Sequence, residues 1–294
     1  MKNAFVIDMG SNSIRLMQAQ VEEGRVHCLQ KWLIAARLGE KQAGSTALTP
    51  AAIARGVDAV EALCQKARAL DSGAPVFAFA TSAVRDAENR ALLLQEVARR
   101  TGLAVEVLSG EQEARLGAAG ALGGRDGGLL DIGGGSSEVV LCRGGKIPFA
   151  HSLNIGCVRA KTLFREGDPA VEEWARAAFA ACPLPEALPF TAIGGTPTAL
   201  AAVALGLSAY DPKKVDGYRL DAPQLRALTE ALAPLSPEER AARYCMDARR
   251  GEVILFGAAI LQAFFAAYGV REVRVSESDN LEGYLMEKLD SKIL

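Results

Sequence analysis

The sequence contains few of the residues that build zinc sites or disulfide frameworks. Among 294 residues there are 2 histidines, and the 6 cysteines include no Cys-x-x-Cys pair. Several cysteines lie inside apolar runs, as in Leu141-Cys142, and this setting is typical of buried thiols in a reducing compartment. The sequence therefore predicts buried, unbridged cysteines.

Strong net charge and long apolar runs are also missing. The formal net charge is −2, whereas nucleic-acid-binding domains usually carry a basic excess. The longest apolar run, 253–268, contains Gln262 and falls short of the roughly 20 residues of a membrane span. The N-terminal residues lead into a strand that contains Asp8, unlike a signal peptide. We therefore expect a cytoplasmic protein that binds neither nucleic acid nor membrane.

A glycine-rich stretch between two apolar segments is the most informative feature that is present. It reads Asp131-Ile132-Gly133-Gly134-Gly135-Ser136-Ser137-Glu138. A strand, a glycine turn and a second strand predict a β-hairpin whose tip can hold an anion among backbone N–H groups. Carboxylates at both ends would repel a phosphate unless a divalent cation lay between them, and this indicates Mg²⁺. An ordinary glycine-rich hairpin turn is the alternative.

A similar stretch occurs near the start of the chain. It reads Asp8-Met9-Gly10-Ser11-Asn12-Ser13 and is followed by apolar residues around Arg15. The recurrence of strand, Asp, Gly, hydroxyl residues and strand indicates an internal duplication. We therefore expect two similar domains that face each other across a cleft, with a phosphate-binding turn on each wall.

The periodicity of apolar residues predicts an α/β fold in two domains. Domain I is expected over 1–124, joined by a C-terminal helix at 279–294, and domain II over 125–278. In the first half the predicted elements are strands 3–9, 13–22 and 25–38, a polar loop at 39–49, helix 50–71, strand 76–80, helix 81–100, strand 105–108 and helix 109–122. In the second half they are strands 128–132, 138–142 and 146–153, helices 156–164 and 170–181, strand 190–193, a helix from Pro197, helices 222–233, 237–244 and 251–268, strand 272–276 and helix 281–289. The first of these orders is that of a ribonuclease-H-like, actin-like domain.

Five motifs, in the same order as in the family, give the chain a resemblance to the exopolyphosphatase and guanosine pentaphosphate phosphohydrolase family of the actin-like superfamily. They are Asp8 to Leu16, Ala80 to Arg85, Ser109 to Leu116, Asp131 to Glu138 and Ile193 to Thr196. The resemblance spans nearly the whole chain and is to the short members, which lack extra C-terminal helical domains. It implies two actin-like domains and hydrolysis of phosphoanhydride bonds.

The resemblance also implies roles for individual residues. Glu113 precedes the Ala-Arg pair of the family pattern and is expected to activate the attacking water, with Glu111 as the neighbouring alternative. The residues expected to bind phosphate are Gly10, Ser11, Asn12, Ser13, Arg15, Arg85, Gly133, Gly134, Gly135, Ser136 and Ser137. Arg85 is expected in the first turn of a helix, where it could bridge phosphate oxygens. The residues expected to hold Mg²⁺ or Mn²⁺ are Asp8, Asp131 and Glu138.

The second-domain turn Gly194-Gly195-Thr196 permits several interpretations. It could approach adenosine, guanosine or further phosphate, or its glycines could serve only helix packing. Departures from the family pattern occur at Asp216, Asp279 and Leu281, where His, Gly and Arg are usual. These departures leave substrate length and identity open.

The expected substrate is inorganic polyphosphate, with guanosine pentaphosphate as the second candidate. Two other hypotheses come from different classes: a superfamily kinase or ATPase, which would need an acceptor motif that is not evident, and a non-catalytic sensor of polyphosphate or nucleotide. Retention of Glu113, Asp131 and Glu138 argues against the sensor. A homodimer is compatible with the sequence.

Overall fold

The computed structural model describes residues 2–40 and 45–290. The chain divides into two compact units, of which unit 1 comprises Met1–Gly120 with Asn280–Leu294 and unit 2 comprises Ala121–Asp279. Residues 41–44 of the predicted polar loop, and 291–294 of the predicted C-terminal segment, lie outside the described residues.

The strands and helices alternate along both units. The strands are β1 (Lys2–Met9), β2 (Ile14–Glu22), β3 (Arg25–Ile34), β4 (Val76–Ala80), β5 (Glu106–Val107), β6 (Gly127–Ile132), β7 (Ser137–Arg143), β8 (Lys146–Leu153), β9 (Phe190–Ile193), β10 (Arg219–Asp221) and β11 (Glu272–Val275). The helices are α1 (Pro50–Leu70), α2 (Ser82–Arg85), α3 (Arg90–Thr101), α4 (Gly110–Leu122), α5 (Cys157–Leu163), α6 (Ala170–Ala180), α7 (Gly195–Ala204), α8 (Pro212–Val215), α9 (Ala222–Leu232), α10 (Pro237–Arg243), α11 (Ala248–Gly251), α12 (Ile254–Tyr268) and α13 (Asn280–Asp290).

The two units contain sheets of matching topology. In unit 1 the strand order is β3-β2-β1-β4-β5, with β1 antiparallel to β2 and parallel to β4. In unit 2 the order is β10-β11-β9-β6-β7-β8, with β6 antiparallel to β7 and parallel to β9. Each is an antiparallel meander followed by parallel strands that join through helices. The α/β, ribonuclease-H-like fold expected from the sequence is confirmed, and β10 is an edge strand that the sequence did not predict.

Apolar faces of the helices cover the unit 1 sheet on both sides. Helix α1 begins with Pro50 after the N-cap Thr49, whose hydroxyl accepts the N–H of Ala52 at 3.1 Å, as expected for a proline-initiated helix. On the other side, α13 buries apolar side chains against β1, β2, β4 and α4, including Leu281, Tyr284 and Leu285. Leu281 is fully buried in this cluster, so the position where the family usually has Arg is part of the core here.

Several predicted boundaries were wrong for identifiable reasons. The strand predicted over 25–38 ends at Ile34, because the N–H groups of Arg37 and Gly39 bind a turn of unit 1 rather than a neighbouring strand. The helix predicted over 81–100 breaks after Arg85, because the Asn89 side chain bonds the backbone N–H and C=O of Leu48 at 2.8 and 2.9 Å. These hydrogen bonds hold the 86–89 segment out of helical geometry.

Two further expectations need correction. The helix predicted over 251–268 begins at Ile254 instead, because Gly251 ends the separate short helix α11, which Asp247 caps by accepting the N–H of Arg250 at 2.8 Å. Not every cysteine is buried, since Cys28 is exposed on β3, at the edge of the unit 1 sheet.

No helix in the described part of the chain combines the length and the apolar composition needed to cross a bilayer.

Candidate active site

A tight turn follows β1 in unit 1. The N–H of Gly10 donates to the carbonyl of Ser13 at 3.1 Å, and a Cβ on Gly10 would lie only 3.0 Å from that same oxygen. The side chains in this turn bond one another or a neighbouring element: Ser11 Oγ lies 3.0 Å from Ser82 Oγ, and Asn12 Nδ2 donates to Ser13 Oγ at 3.3 Å. The turn is therefore compact and linked to the start of α2.

The turn after β6 repeats this geometry in unit 2. Gly133 N–H donates to the carbonyl of Ser136 at 3.0 Å, and a Cβ on Gly133 would again lie 3.0 Å from that oxygen. Ser136 is buried. The Ser137 hydroxyl donates to the carbonyl of Ile155 at 2.7 Å, so in this conformation it serves the fold. The internal duplication is therefore a duplication of backbone structure.

The strand register places charged residues side by side at each turn. In unit 1, Asp8 is opposite Arg15, and Arg15 Nη2 lies 2.6 Å from Asp8 Oδ2. At the equivalent positions in unit 2, Asp131 is opposite Glu138. Directly opposed residues in an antiparallel pair share one face of the sheet. The duplicated site therefore carries an ion pair in unit 1 and two neighbouring carboxylates in unit 2.

Sequence reasoning missed Ser152 as a site residue. It lies opposite Glu138 in the β7–β8 pairing and donates its hydroxyl to Glu138 Oε1 at 2.7 Å. Glu138 is 1% exposed, so this hydrogen bond orients a buried carboxylate. The turn position alone could not have found this pair: counting from Arg143 opposite Lys146 would put His151 across from Glu138, but the register shifts between Leu141 and Arg143 and brings Ser152 there instead.

The carboxylates beside the unit 2 turn fit a magnesium ion whose remaining ligands come from water and substrate phosphates. Within the described residues, no three His, Cys, Asp or Glu side chains form a metal-binding cluster. Asp131 and Glu138 are nevertheless a pair of carboxylates on one sheet face. Mg²⁺ is commonly bound by one or two carboxylates together with water and substrate phosphates. The residues present fit that mode better than an all-protein cage.

Buried Glu113 and half-buried Arg85 form an ion pair in unit 1. Arg85 Nη1 lies 2.7 Å from Glu113 Oε2 and 3.2 Å from the carbonyl of Leu108. The Glu113 side chain is 7% exposed, whereas that of Glu111 is 64% exposed. Glu111 instead bonds Arg115 one turn along the helix, at 2.9 Å. The two glutamates of α4 therefore have different environments.

Helix α2 connects the unit 1 residues with one another. Its first residue, Ser82, contacts the Gly10–Ser13 turn, and its last, Arg85, contacts Glu113. The helix is a single turn, so Arg85 does not lie in the first turn of a long helix as the sequence predicted. The guanidinium itself is therefore the group that can bind phosphate here.

The Gly194-Gly195-Thr196 turn is packed against protein. Gly194 has a φ of +95°, and a Cβ there would lie 2.8 Å from Asp131 Oδ1. The Arg250 guanidinium lies against Gly195. Thr196 is fully buried. Because Gly194 and Gly195 lack side chains, Asp131 and Arg250 can lie close to this turn. The Thr196 hydroxyl does not reach the surface.

Cys157 adjoins the unit 2 turn, and its backbone N–H donates to Gly133 O at 3.0 Å. Burial raises the pKa of its thiol, which keeps the group protonated at neutral pH. A protonated, buried thiol is a poor nucleophile. Cys157 therefore acts here through packing and through its backbone.

Comparison with known proteins places these features in a family. The model of the Ppx/GppA phosphatase family matches residues 18–292. The chain belongs to the Ppx/GppA phosphatase family. Exopolyphosphatase 2 of Mycobacterium tuberculosis is 31% identical over 306 aligned residues, which cover 94% of this chain and 95% of that protein.

Solved structures agree with this assignment. The crystal structure of the Aquifex aeolicus Ppx/GppA family member is 29% identical, with a TM-score of 0.80 over 99% of this chain and 98% of that one. An exopolyphosphatase structure from Cytophaga hutchinsonii, 24% identical, covers 99% of this chain and 98% of that one with a TM-score of 0.87, and so shares the fold. Because Ppx/GppA proteins are phosphoanhydride hydrolases, the chain is an enzyme of that class, and the non-catalytic sensor hypothesis is wrong.

Proposed function

We propose that the chain is an exopolyphosphatase that removes the terminal phosphate of inorganic polyphosphate. The observation that most supports this proposal is the 2.7 Å hydrogen bond from Arg85 to the buried Glu113 carboxylate. It places a carboxylate that can take a proton beside a guanidinium that can bind phosphate oxygens bidentately. Hydrolysis of a phosphoanhydride needs these two functions next to each other.

In the proposed reaction Glu113 orients a water molecule and accepts its proton as the oxygen attacks the terminal phosphorus. A new phosphorus–oxygen bond forms, and the bond from that phosphorus to the bridging oxygen breaks. The bridging oxygen leaves with the shortened chain, and orthophosphate is released. The attacking and leaving oxygens lie in line in such transfers, so Glu113 acts from the side opposite the leaving chain.

Arg85 would change partner during this cycle. In the structure it donates to Glu113 at 2.7 Å. A polyphosphate end offers several oxygens of higher charge, and we infer that these compete for the guanidinium. Transfer of Arg85 to phosphate would leave the Glu113 carboxylate available to the water.

Asp131 and Glu138 are the residues that would hold a divalent cation. When bound, Mg²⁺ or Mn²⁺ would screen the charge on the phosphate oxygens and on the leaving group. Asp8, expected from the sequence as a third ligand, is bonded by Arg15 at 2.6 Å. We therefore assign Asp8 to orienting Arg15, with Arg15 available for phosphate.

We favour polyphosphate over guanosine pentaphosphate as the substrate because of how the Gly194-Gly195-Thr196 turn packs. A nucleoside would have to approach a turn whose first two residues face Asp131 and Arg250 and whose third is buried. The curated relatives named as exopolyphosphatases point the same way. A row of phosphates needs only charge and N–H donors, which both turns can offer.

The proposal is tested by measuring phosphate release from polyphosphate, guanosine pentaphosphate and ATP under identical conditions, with Mg²⁺ and with excess chelator. We expect the highest kcat/KM on polyphosphate, and loss of that activity in chelator. Faster conversion of guanosine pentaphosphate to tetraphosphate than of polyphosphate would move the assignment to the nucleotide phosphatase. Full activity in excess chelator would remove the metal from the account.

A further inference from the structure

All three carbonyls of the glycine turn in unit 2 are held by the segment that starts α5. The N–H of Cys157 donates to Gly133 O at 3.0 Å, and the N–H groups of Val158 and Arg159 donate to Gly134 O at 2.8 and 3.0 Å. The side-chain Nε of Arg159 donates to Gly135 O at 2.8 Å. Three consecutive peptide groups are therefore fixed from one side.

The fit between this segment and the turn leaves no space for a side chain at Gly156. A Cβ there would lie 2.6 Å from the backbone nitrogen of Gly135, closer than a real Cβ could approach. The glycine before α5 is therefore required for the start of the helix to reach the turn.

Unit 1 has a related contact, in which two backbone N–H groups hold two carbonyls of its turn. The N–H of Gly39 donates to Ser11 O at 2.8 Å, and the N–H of Arg37 donates to Asn12 O at 2.9 Å. Arg37 has a φ of +52°, an uncommon conformation for a residue with a side chain. In both units the segment after the third meander strand holds the carbonyls of the turn.

Fixed carbonyls determine where the N–H groups point. In a planar trans peptide the C=O and N–H bonds project in opposite directions. With the carbonyls of 133, 134 and 135 facing α5, the N–H groups of Gly134, Gly135 and Ser136 face the other way. Successive N–H groups on one side of a turn form a concave site for an anion.

We propose that Arg159 is a positioning residue for phosphate binding, acting through the Gly133–Gly135 carbonyls. The inference rests on the proposed function and extends it to a residue that need not touch substrate. Arg159 is half-buried and engaged with the turn through Nε. Its effect on affinity would come from holding the turn in the conformation that binds phosphate, which reduces the ordering cost of binding.

Arg125 provides a matched control. It lies in unit 2 and also donates to backbone carbonyls, from Nε to Leu122 O at 2.9 Å and from Nη2 to Ala121 O at 3.1 Å. Arg125→Ala removes the same charge and the same kind of hydrogen bond without contact to the glycine turn. Arg159→Lys retains a charged donor and serves as a second variant if Arg159→Ala folds poorly.

The experiment combines binding of inorganic tripolyphosphate, measured by calorimetry, with NMR of protein labelled with ¹⁵N-glycine. In Arg159→Ala we expect the Gly134 and Gly135 amide signals to shift or broaden without ligand. We also expect the Kd for tripolyphosphate to rise about 10-fold, a usual effect of losing an outer-shell contact. Arg159→Lys should restore part of the affinity, and Arg125→Ala should match the wild type in both measurements.

Three results would overturn the inference. Unchanged glycine signals with weaker binding would make Arg159 a direct ligand, and unchanged signals with unchanged binding would give it no role. Wild-type protein that binds no tripolyphosphate would refute the proposed function as well as the inference. That last outcome is seen in the wild type alone, so it is distinguishable from a failure confined to Arg159.

Discussion

At the residue scale, two glutamates of helix α4 differ in burial, and this difference separates the candidate catalytic residue from a surface charge. Glu111 and Glu113 both lie in the first turn of α4, where acidic residues are common because of the helix dipole. One is exposed and bonded to Arg115, and the other is buried beside Arg85. Both partners are arginines, so burial is what distinguishes Glu113 from Glu111.

Glu113→Gln should therefore lower kcat on polyphosphate by roughly 10²–10⁴-fold, the usual contribution of a positioned general base. The amide keeps the shape and an acceptor for Arg85, so substrate binding should change little. Phosphate release and calorimetric binding check the two halves of this expectation. Glu111→Gln is the control and should retain activity, and a silent Glu111→Gln beside an active Glu113→Gln would reverse the assignment.

Ser152→Ala should raise the Mg²⁺ concentration needed for half-maximal rate by roughly 10-fold, as expected when a hydrogen bond that orients a metal ligand is lost. Ser152→Thr, which keeps the hydroxyl, should restore the wild-type value. Ser276→Ala is the control, because that hydroxyl bonds local backbone, donating to Ser278 O at 3.0 Å and accepting the N–H of Ser278 at 3.1 Å. An unchanged magnesium titration in Ser152→Ala would show that Glu138 does not hold the metal.

Part of the site could be predicted from the sequence. The glycine turns, the hydroxyl residues and Glu113 occur in contiguous motifs, and contiguous motifs report local structure. Ser152 and Arg159 lie 14 and 24 residues from their partners, Glu138 and Gly135. Their contacts depend on strand register and on the start of α5, which a linear motif does not record.

At the scale of elements, helix α13 is attached to unit 1 by a polar contact as well as by apolar packing. Lys288 Nζ and the Tyr284 hydroxyl each lie 2.8 Å from Glu106 Oε2. The hydrogen bond from Lys288, followed by that from Tyr284, lowers the pKa of Glu106. A lowered carboxyl pKa means that the folded state favours the ionised form.

This contact should contribute stability above the ordinary glutamate pKa of 4.5, and the contribution should disappear as pH falls through the lowered value. Because the Glu106 side chain is 39% exposed, we expect less than about 1 kcal/mol. The measurement is the difference in unfolding free energy between wild type and Glu106→Gln at pH 7 and at pH 3.5. The difference should shrink at the lower pH, and a larger difference there would contradict the assignment.

A buried arginine joins elements within unit 2. Arg240 is fully buried, donates to both carboxylate oxygens of Glu166 at 2.9 and 2.6 Å, and also donates to Leu232 O and Gly251 O. It thereby connects α10 with the end of α9 and with α11. Removing one partner of such a network leaves buried acceptors without donors.

Arg240→Ala should destabilise unit 2 by about 3 kcal/mol. The control is Arg219→Ala, because Arg219 pairs with Glu272 on the surface at 2.5 Å with its side chain 73% exposed. That change should cost less than about 1 kcal/mol. Denaturant unfolding of both variants checks the contrast, and equal small effects would show that the buried pair adds no net stability.

Elements with a strong apolar period were predictable, whereas their breaks were not. Helix α1 and the strand trios follow from local patterning and from signals such as Thr49-Pro50. The breaks after Arg85 and Ile34 arise from hydrogen bonds to Leu48 and to the Gly10–Ser13 turn. Tertiary contacts of this kind override local preference.

At the scale of the whole molecule, the duplication accounts for two similar sheets whose turns carry different charged residues. The same turn follows the first strand of each sheet, with nearly identical closing distances of 3.1 and 3.0 Å. The residue opposite the aspartate differs, being Arg15 in one unit and Glu138 in the other. One copy therefore carries a cation that can meet phosphate, and the other carries carboxylates that can meet a metal.

The central claim is that this machinery removes phosphate from the end of a polyphosphate chain. The most direct test is to resolve the products by chain length over time, with Glu113→Gln as the inactive control. The account predicts orthophosphate together with a gradually shortening ladder, because in the proposed reaction each cycle removes one terminal phosphate. Mid-chain fragments without early orthophosphate would contradict it.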